Sequence, residues 1–128
     1  MRSATLAALV AVLPLSGVAA AQNSIAACMP TGDSRAQQTY VAYLTCVADH
    51  AKALEPSGST ATEIAVAAAS ACGQEDFQVS SMTTLCSVVL PEMYTEKGHG
   101  VLQSVRDRGR EVAIETVVTV RAQRATVK

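Results

Sequence analysis

Tryptophan is absent from this 128-residue chain, phenylalanine occurs once, and aromatic residues make up only 3% of it. Hydrophobic residues still account for 49%, so the apolar surface is divided among alanine, valine and leucine. Burial is worth about 25 cal/mol per Å² removed from water, and small side chains each contribute little of it. A thin core is expected, with cross-links mattering more than usual. Histidine is equally scarce, with only His50 and His99. Hydrolysis by a nucleophile needs a base beside a serine or cysteine and a group that orients it. His50 reads instead as a boundary residue on a helix flank near Tyr43 and Asp49, and His99 as an exposed residue between Gly98 and Gly100. No Cys-x-x-Cys spacing occurs, so neither a thioredoxin-like redox centre nor a zinc knuckle is indicated. The glycines are too scattered for a phosphate-binding loop. No catalytic, cofactor-binding or metal-binding residue, and no cofactor, is therefore expected.

The chain opens with Arg2, the apolar run Leu6 to Leu15 and a small-residue stretch ending Val18-Ala19-Ala20-Ala21. That pattern predicts a cleaved signal peptide over residues 1–21, with the mature chain starting at Gln22. Pro14, Ser16 and Gly17 keep the run short of the roughly 20 apolar residues a membrane span needs. Ile25-Ala26-Ala27-Cys28 is a competing signal, since its four letters match a lipobox in which Cys28 would be lipidated. The intervening Gln22, Asn23 and Ser24 weigh against it, as does the odd thiol it would leave. The mature chain, about 107 residues long, fits a single domain. Four cysteines in a short exported chain read as two disulfides, each worth roughly 2 to 4 kcal/mol.

Within residues 22–128 the sequence predicts an all-α, disulfide-linked domain: an antiparallel helical hairpin, a third helix and a long C-terminal helix. Met29 to Asp33 reads as a turn. Ser34 and Gln37 have capping-box spacing, and Tyr40, Leu44, Val47, Ala51 and Leu54 trace one stripe of the helix that follows. Pro56 and Ser57-Gly58-Ser59 break it. Thr60 and Glu63 form a second capping box, Ile64 to Ala71 continue as an alanine-rich helix, and Gly73 is expected to close it. So short a connection makes the helices antiparallel neighbours. At 1.5 Å per residue, Cys46 and Cys72 then fall within about one turn of the same level. Cys46–Cys72 is the preferred bridge, which leaves Cys28 with Cys86 among the three connectivities four cysteines allow.

A third helix is expected from Glu75, with Phe77, Met82, Leu85, Cys86, Val89 and Leu90 at helical spacing and Pro91 ending it. Gly98-His99-Gly100 separates the body, residues 22–97, from the C-terminal segment 98–128. Leu102, Val105, Val112, Ala113, Thr116, Val117 and Val120 trace a helix face interrupted at Gly109 and fraying from Ala125. The alternation Val112, Ile114, Thr116, Val118, Val120 also suits a strand, but no other segment reads as its partner.

Charge is unevenly placed. Residues 22–96 hold two basic and eight acidic side chains, a net −6, and residues 97–128 hold seven basic and three acidic, a net +4. A basic helix lying on its own acidic body is the plainer reading. The other is a surface for an anionic partner, with Arg106, Arg108, Arg110, Arg121 and Arg124 as candidate partner-binding residues. The cluster around Arg106 lacks interleaved aromatics, so no nucleic-acid partner is expected. Without tryptophan or phenylalanine the valine-rich face also lacks membrane anchors.

The plan of signal peptide, few helices and cysteine bridges resembles several unrelated small periplasmic proteins, acid-stress chaperones and secreted inhibitors among them, but only in plan. The function expected is a non-enzymatic structural or interaction module of the cell envelope, periplasmic or extracellular, with another envelope protein as its partner. An acid-stress chaperone is the alternative, and a lipoprotein anchored through Cys28 a third reading.

Overall fold

A computed structural model describes residues 24–29, 32–94 and 100–127, and the expected signal peptide and the Gly98-His99 hinge lie outside those residues. A helical turn over residues 24–28 comes first. It is followed by α1 (Arg35–Leu54), a 3-10 turn (Glu55–Ser57), α2 (Ala61–Ala71), α3 (Gly73–Val89), the short α4 (Pro91–Tyr94) and α5 (Gly100–Thr126). No strand occurs among the described residues. The long α5 runs against both α1 and α2, and α3 packs chiefly on α1.

The local signals account for most of the boundaries. Ser34 Oγ accepts from the Gln37 N–H at 3.2 Å and donates to the Met29 carbonyl, which ties the entry of α1 to the chain before it. The Gln37 half of the box is not formed, and a separate contact, Gln38 Nε2 donating to the Asp33 carbonyl at 3.0 Å, fastens this end of the helix to the turn before it. At α2 the box is complete: Glu63 N–H donates to Thr60 Oγ1 at 3.2 Å, and Thr60 N–H donates to Glu63 Oε2 at 2.9 Å. Gly58, at φ +79°, supplies the left-handed residue that lets α1 reverse into α2.

Three expectations are corrected by the packing. Gly73 does not close α2 in a left-handed conformation. It is the first residue of α3, and the chain bends at Cys72 (φ −96°, ψ 33°) with no loop between the helices. Gly109 does not interrupt α5, which runs unbroken from Gly100 to Thr126. The glycine is needed by a neighbour, because a Cβ there would lie 2.7 Å from Cε1 of Tyr43. Tyr43, expected on the flank of α1, is in the core with Val47 and Ala51, whereas Tyr40, Leu44 and Leu54 are only partly buried against it. The buried stripe of α1 steps by four, and so does the stripe of α5: Val105, Gly109, Ala113, Val117. Residues four apart form a continuous ridge on a helix, and the Tyr43 ring sits over the gap that Gly109 leaves in the facing ridge.

The core is as thin as the composition implies. Of the largest fully buried side chains, Ile64, Val47 and Val117 are aliphatic and the other three are Cys28, Cys72 and Cys86. The bridges Cys46–Cys72 and Cys28–Cys86 span 26 and 58 residues, with Cα atoms 6.0 and 5.4 Å apart. These are the pair that the level argument prefers and the pair that it leaves. Disulfide sulfur thus serves as core material as well as cross-link, in a domain with few large apolar side chains to bury.

Candidate functional site

The five arginines of α5 divide by what they touch. Arg106 forms a bidentate pair with Asp76 of α3, Nε to Oδ1 at 2.8 Å and Nη2 to Oδ2 at 2.7 Å. That fork of donors holds the Asp76 carboxyl below the usual carboxylate range, and it raises Arg106 in turn. Arg121 and Arg124 converge on Glu55, which is only 4% exposed. Arg121 Nε donates to Oε1 at 3.3 Å and Nη2 to the Ser59 carbonyl. Arg124 Nη1 lies 2.7 Å from Oε2 as an ion pair without hydrogen-bond alignment. Arg108 and Arg110 stay on the exposed side and pair within the helix, Arg108 with Glu111 at 3.0 Å and Glu115 at 3.3 Å, Arg110 with Asp107 at 3.7 Å. Three of the five candidates therefore fasten α5 to the acidic body, one near each end and a third beside the second. Burial pushes the Tyr43 hydroxyl up, reinforced by Asp76, while Arg106 and Arg110 oppose the shift.

Exposed valines are scattered singly over the other helices, Val41 on α1, Val66 on α2 and Val118 on α5, whereas α3 carries three exposed apolar side chains on one face. Phe77 is 71% exposed, Leu85 50% and Val88 79%. Positions 77, 81, 85 and 88 recur at helical spacing and so share one face. The helical spacing of Phe77, Met82, Leu85, Cys86, Val89 and Leu90 predicts the helix but does not say which of them face inward. The structure buries Val79 and Cys86, because those are the positions turned toward α1 and the N-terminal arm. A shallow groove lined by Arg35, Thr39, Phe77, Ser81 and Leu85 separates this face from the start of α1. A larger cavity of about 520 Å³ opens between α1, α3 and the start of α5, with Tyr40, Val79, Met82, Tyr94 and Val101 on its walls. Tyr94 donates to the Cys28 carbonyl at 2.7 Å at its edge, and burial raises its hydroxyl.

His50 is exposed on α1, and its ring meets the Cys46–Cys72 bridge, with the ligand-capable atoms of all three residues within 4.8 Å of one another. His99 lies outside the described residues. Cys28, whose sulfur the lipobox reading requires free, is bonded to Cys86 and fully buried.

Sequence reasoning missed Glu55, Tyr43 and the His50 cluster. A glutamate ahead of a proline reads as loop, and only the return of α5 sixty-six residues later encloses it. One legible signal existed for the cluster: Cys46 and His50 are four apart on a helix and share a face. No helix among the described residues is long and apolar enough to cross a membrane. The chain matches no family model, no curated protein and no solved structure.

Proposed function

We propose that the protein is an exported, non-enzymatic interaction module of the cell envelope, periplasmic or extracellular, which offers the exposed face of α3 to another envelope protein. One observation carries this reading. The core is short of large apolar side chains, yet the chain's single phenylalanine stands 71% exposed in line with Leu85 and Val88. Stability alone favours such a residue inside, and an exposed apolar patch marks an interaction surface. Of the eight carboxylates in residues 22–96, α5 engages Asp76 and Glu55. The remaining negative charge favours a partner whose apolar segment is flanked by lysine or arginine. Two disulfides and the export-type segment Met1 to Ala21 support the compartment. A photocrosslinking amino acid at Ser81 of the full chain, in the producing cell, tests the proposal. A discrete adduct with one basic exported protein is expected, lost in Phe77→Asp. Homodimer adducts alone, or adducts unchanged in Phe77→Asp, would overturn it.

A second reading, an acid-stress chaperone, draws on the anchoring of α5 through two carboxylates, Asp76 and Glu55. Acid strong enough to neutralise the Asp76 carboxylate releases α5 at that anchor, and its stripe Val105, Ala113 and Val117 becomes free to bind unfolded clients. Circular dichroism and a client-aggregation assay between neutral pH and about pH 2 test this, with an unchanged fold and no protection counting against it.

A further inference from the structure

We propose that Cys46, Cys72 and His50 form a binding site for a thiophilic divalent cation, zinc being the probe, which becomes available when the Cys46–Cys72 bridge is reduced. The three residues come from two places in the fold. Cys46 and His50 stand one turn apart on one face of α1, and Cys72 lies at the α2–α3 bend, so that two sulfurs and an imidazole nitrogen fall within 4.8 Å of one another. Two thiolates with one neutral imidazole is a borderline-soft donor set of the kind zinc takes. In a tetrahedral site with Zn–S about 2.3 Å and Zn–N about 2.0 Å, ligand atoms lie about 3.5 to 3.8 Å apart. On reduction the sulfurs are free to separate toward that spacing, and the imidazole adjusts through its side-chain torsions, the three ligand atoms starting within 4.8 Å of one another.

The scaffold under the site does not consist of the bridge alone. Val47, Ala51, Ile64, Ala65 and Ala68 pack α1 against α2 in the buried core, so the two helices have apolar contacts to hold them after the bridge opens. Cys72 is fully buried, Cys46 partly so, and His50 is exposed, which leaves the fourth coordination position on the solvent side for water. The Cys28–Cys86 bridge has no comparable group of donors among the described residues. The chemistry balances with an external dithiol as reductant. Its two thiols supply two electrons and two protons and leave as a cyclic disulfide, while the bridge becomes the thiols of Cys46 and Cys72. Zinc then displaces those two protons and binds the two thiolates with neutral His50.

The full chain is reduced anaerobically with a phosphine, a reductant that does not bind zinc as a dithiol would. The phosphine leaves as its oxide with the oxygen of water, while the two protons of that water complete the thiols. Freed of reagent, the chain is titrated with zinc against a chromophoric chelator, and with cobalt(II) for thiolate charge-transfer absorption in the near ultraviolet. One equivalent is expected to bind, only after reduction, and to protect Cys46 and Cys72 but not Cys28 and Cys86 from alkylation. His50→Ala, an exposed change, is expected to weaken binding at least about tenfold, since even an outer partner of a ligand is worth that much. The joint variant Cys46→Ser, Cys72→Ser is expected to abolish it. Should reduction melt the helices, zinc restoring them in the wild type but not in His50→Ala supports the site, because metal binding then drives folding. Helices that zinc does not restore, equal affinity in His50→Ala, or alkylation protection that ignores Cys46 and Cys72 would each overturn it.

Discussion

The two ends of the helical bundle are closed by different means. At the end where α1 reverses into α2, Glu55 sits 4% exposed between Arg121 and Arg124, and Ile64, Ala65 and Val117 are sealed from solvent. At the other end α1, α3 and α5 part around a cavity of about 520 Å³, and the Cys28–Cys86 bridge and the Tyr94 hydrogen bond tie the N-terminal arm to α3 and α4 there. Small side chains close a bundle only where a short connection holds the helices near each other. Where the helices diverge, alanine and valine cannot reach across, and a covalent link substitutes for volume.

Cutting each bridge separately gives the largest expected effect. In the chain-entropy account a closed loop of 58 residues is worth about 4.2 kcal/mol and one of 26 residues about 3.5 kcal/mol. Cys28→Ala with Cys86→Ala is therefore expected to lower stability more than Cys46→Ala with Cys72→Ala, as read from urea midpoints. Amide hydrogen exchange distinguishes the ends more sharply. Loss of the first bridge is expected to deprotect residues 24–29 and α4 while α2 stays protected. Equal deprotection of α2 would erase the contrast between a packed end and a stapled one.

Paired truncations probe the same contrast through packing. Ile64 is 2% exposed within the buried cluster, and Ile64→Ala is expected to cost about 3 kcal/mol, within the range for large-to-small changes in a filled core. Met82 already borders open space, so Met82→Ala is expected to cost less than about 1 kcal/mol, since few contacts are lost. Similar losses measured by denaturant titration would mean that the open end is packed more tightly than its cavity implies.

Gly109→Ala acts between the two ends and is expected to cost about 0 to 2 kcal/mol net. Alanine gains about 0.8 to 1.0 kcal/mol of helix propensity, but its Cβ would stand 2.7 Å from the Tyr43 ring, and overpacking costs typically 1 to 3 kcal/mol. In a Tyr43→Ala background the sign is expected to reverse, leaving the propensity gain alone. A double-mutant cycle on thermal midpoints reads this coupling directly.

These residues also mark what the sequence makes legible. The helices, the turn and the bridges follow from local chemistry: Thr60 with Glu63, Pro56 with Gly58, and the level of Cys46 against Cys72 are all settled within about forty residues. Gly109 was misread because its reason lies sixty-six residues away in Tyr43, and a glycine in a helix pattern otherwise signals a break. Glu55 was misread for the same kind of reason. The inward face of α3 is not legible because its apolar residues occur on two sides, Val79 and Cys86 facing in and Phe77, Leu85 and Val88 facing out. Periodicity cannot choose between two such faces until the neighbouring helices are placed.

The smallest expected effect is also the one whose pH dependence is most specific. Asp76 holds α3 to α5 through the bidentate Arg106 contact, and that hydrogen bonding keeps its carboxyl below the usual range. A carboxyl depressed in the folded state adds stability that is present above its unfolded value and lost as pH falls through its folded one. The side chains of Asp76 and Arg106 remain 28% and 41% exposed, so solvent screening limits the pair to about 1 kcal/mol or less. Asp76→Asn is accordingly expected to lower the urea midpoint at pH 7 by that small amount, and to converge with the wild type as pH falls below the ordinary carboxylate range toward about pH 2. High salt at pH 7 should narrow the same gap, because partly exposed charges are screened. At the packed end Glu55 is almost wholly enclosed, and salt has less access to its pair. A gap in Asp76→Asn that survives both acid and salt would show that the amide disturbs the packing of α3 on α5 instead of an ion pair. The Asp76–Arg106 pair would then be incidental to the packing of α5 on α3, and the open end would depend still more on the Cys28–Cys86 bridge.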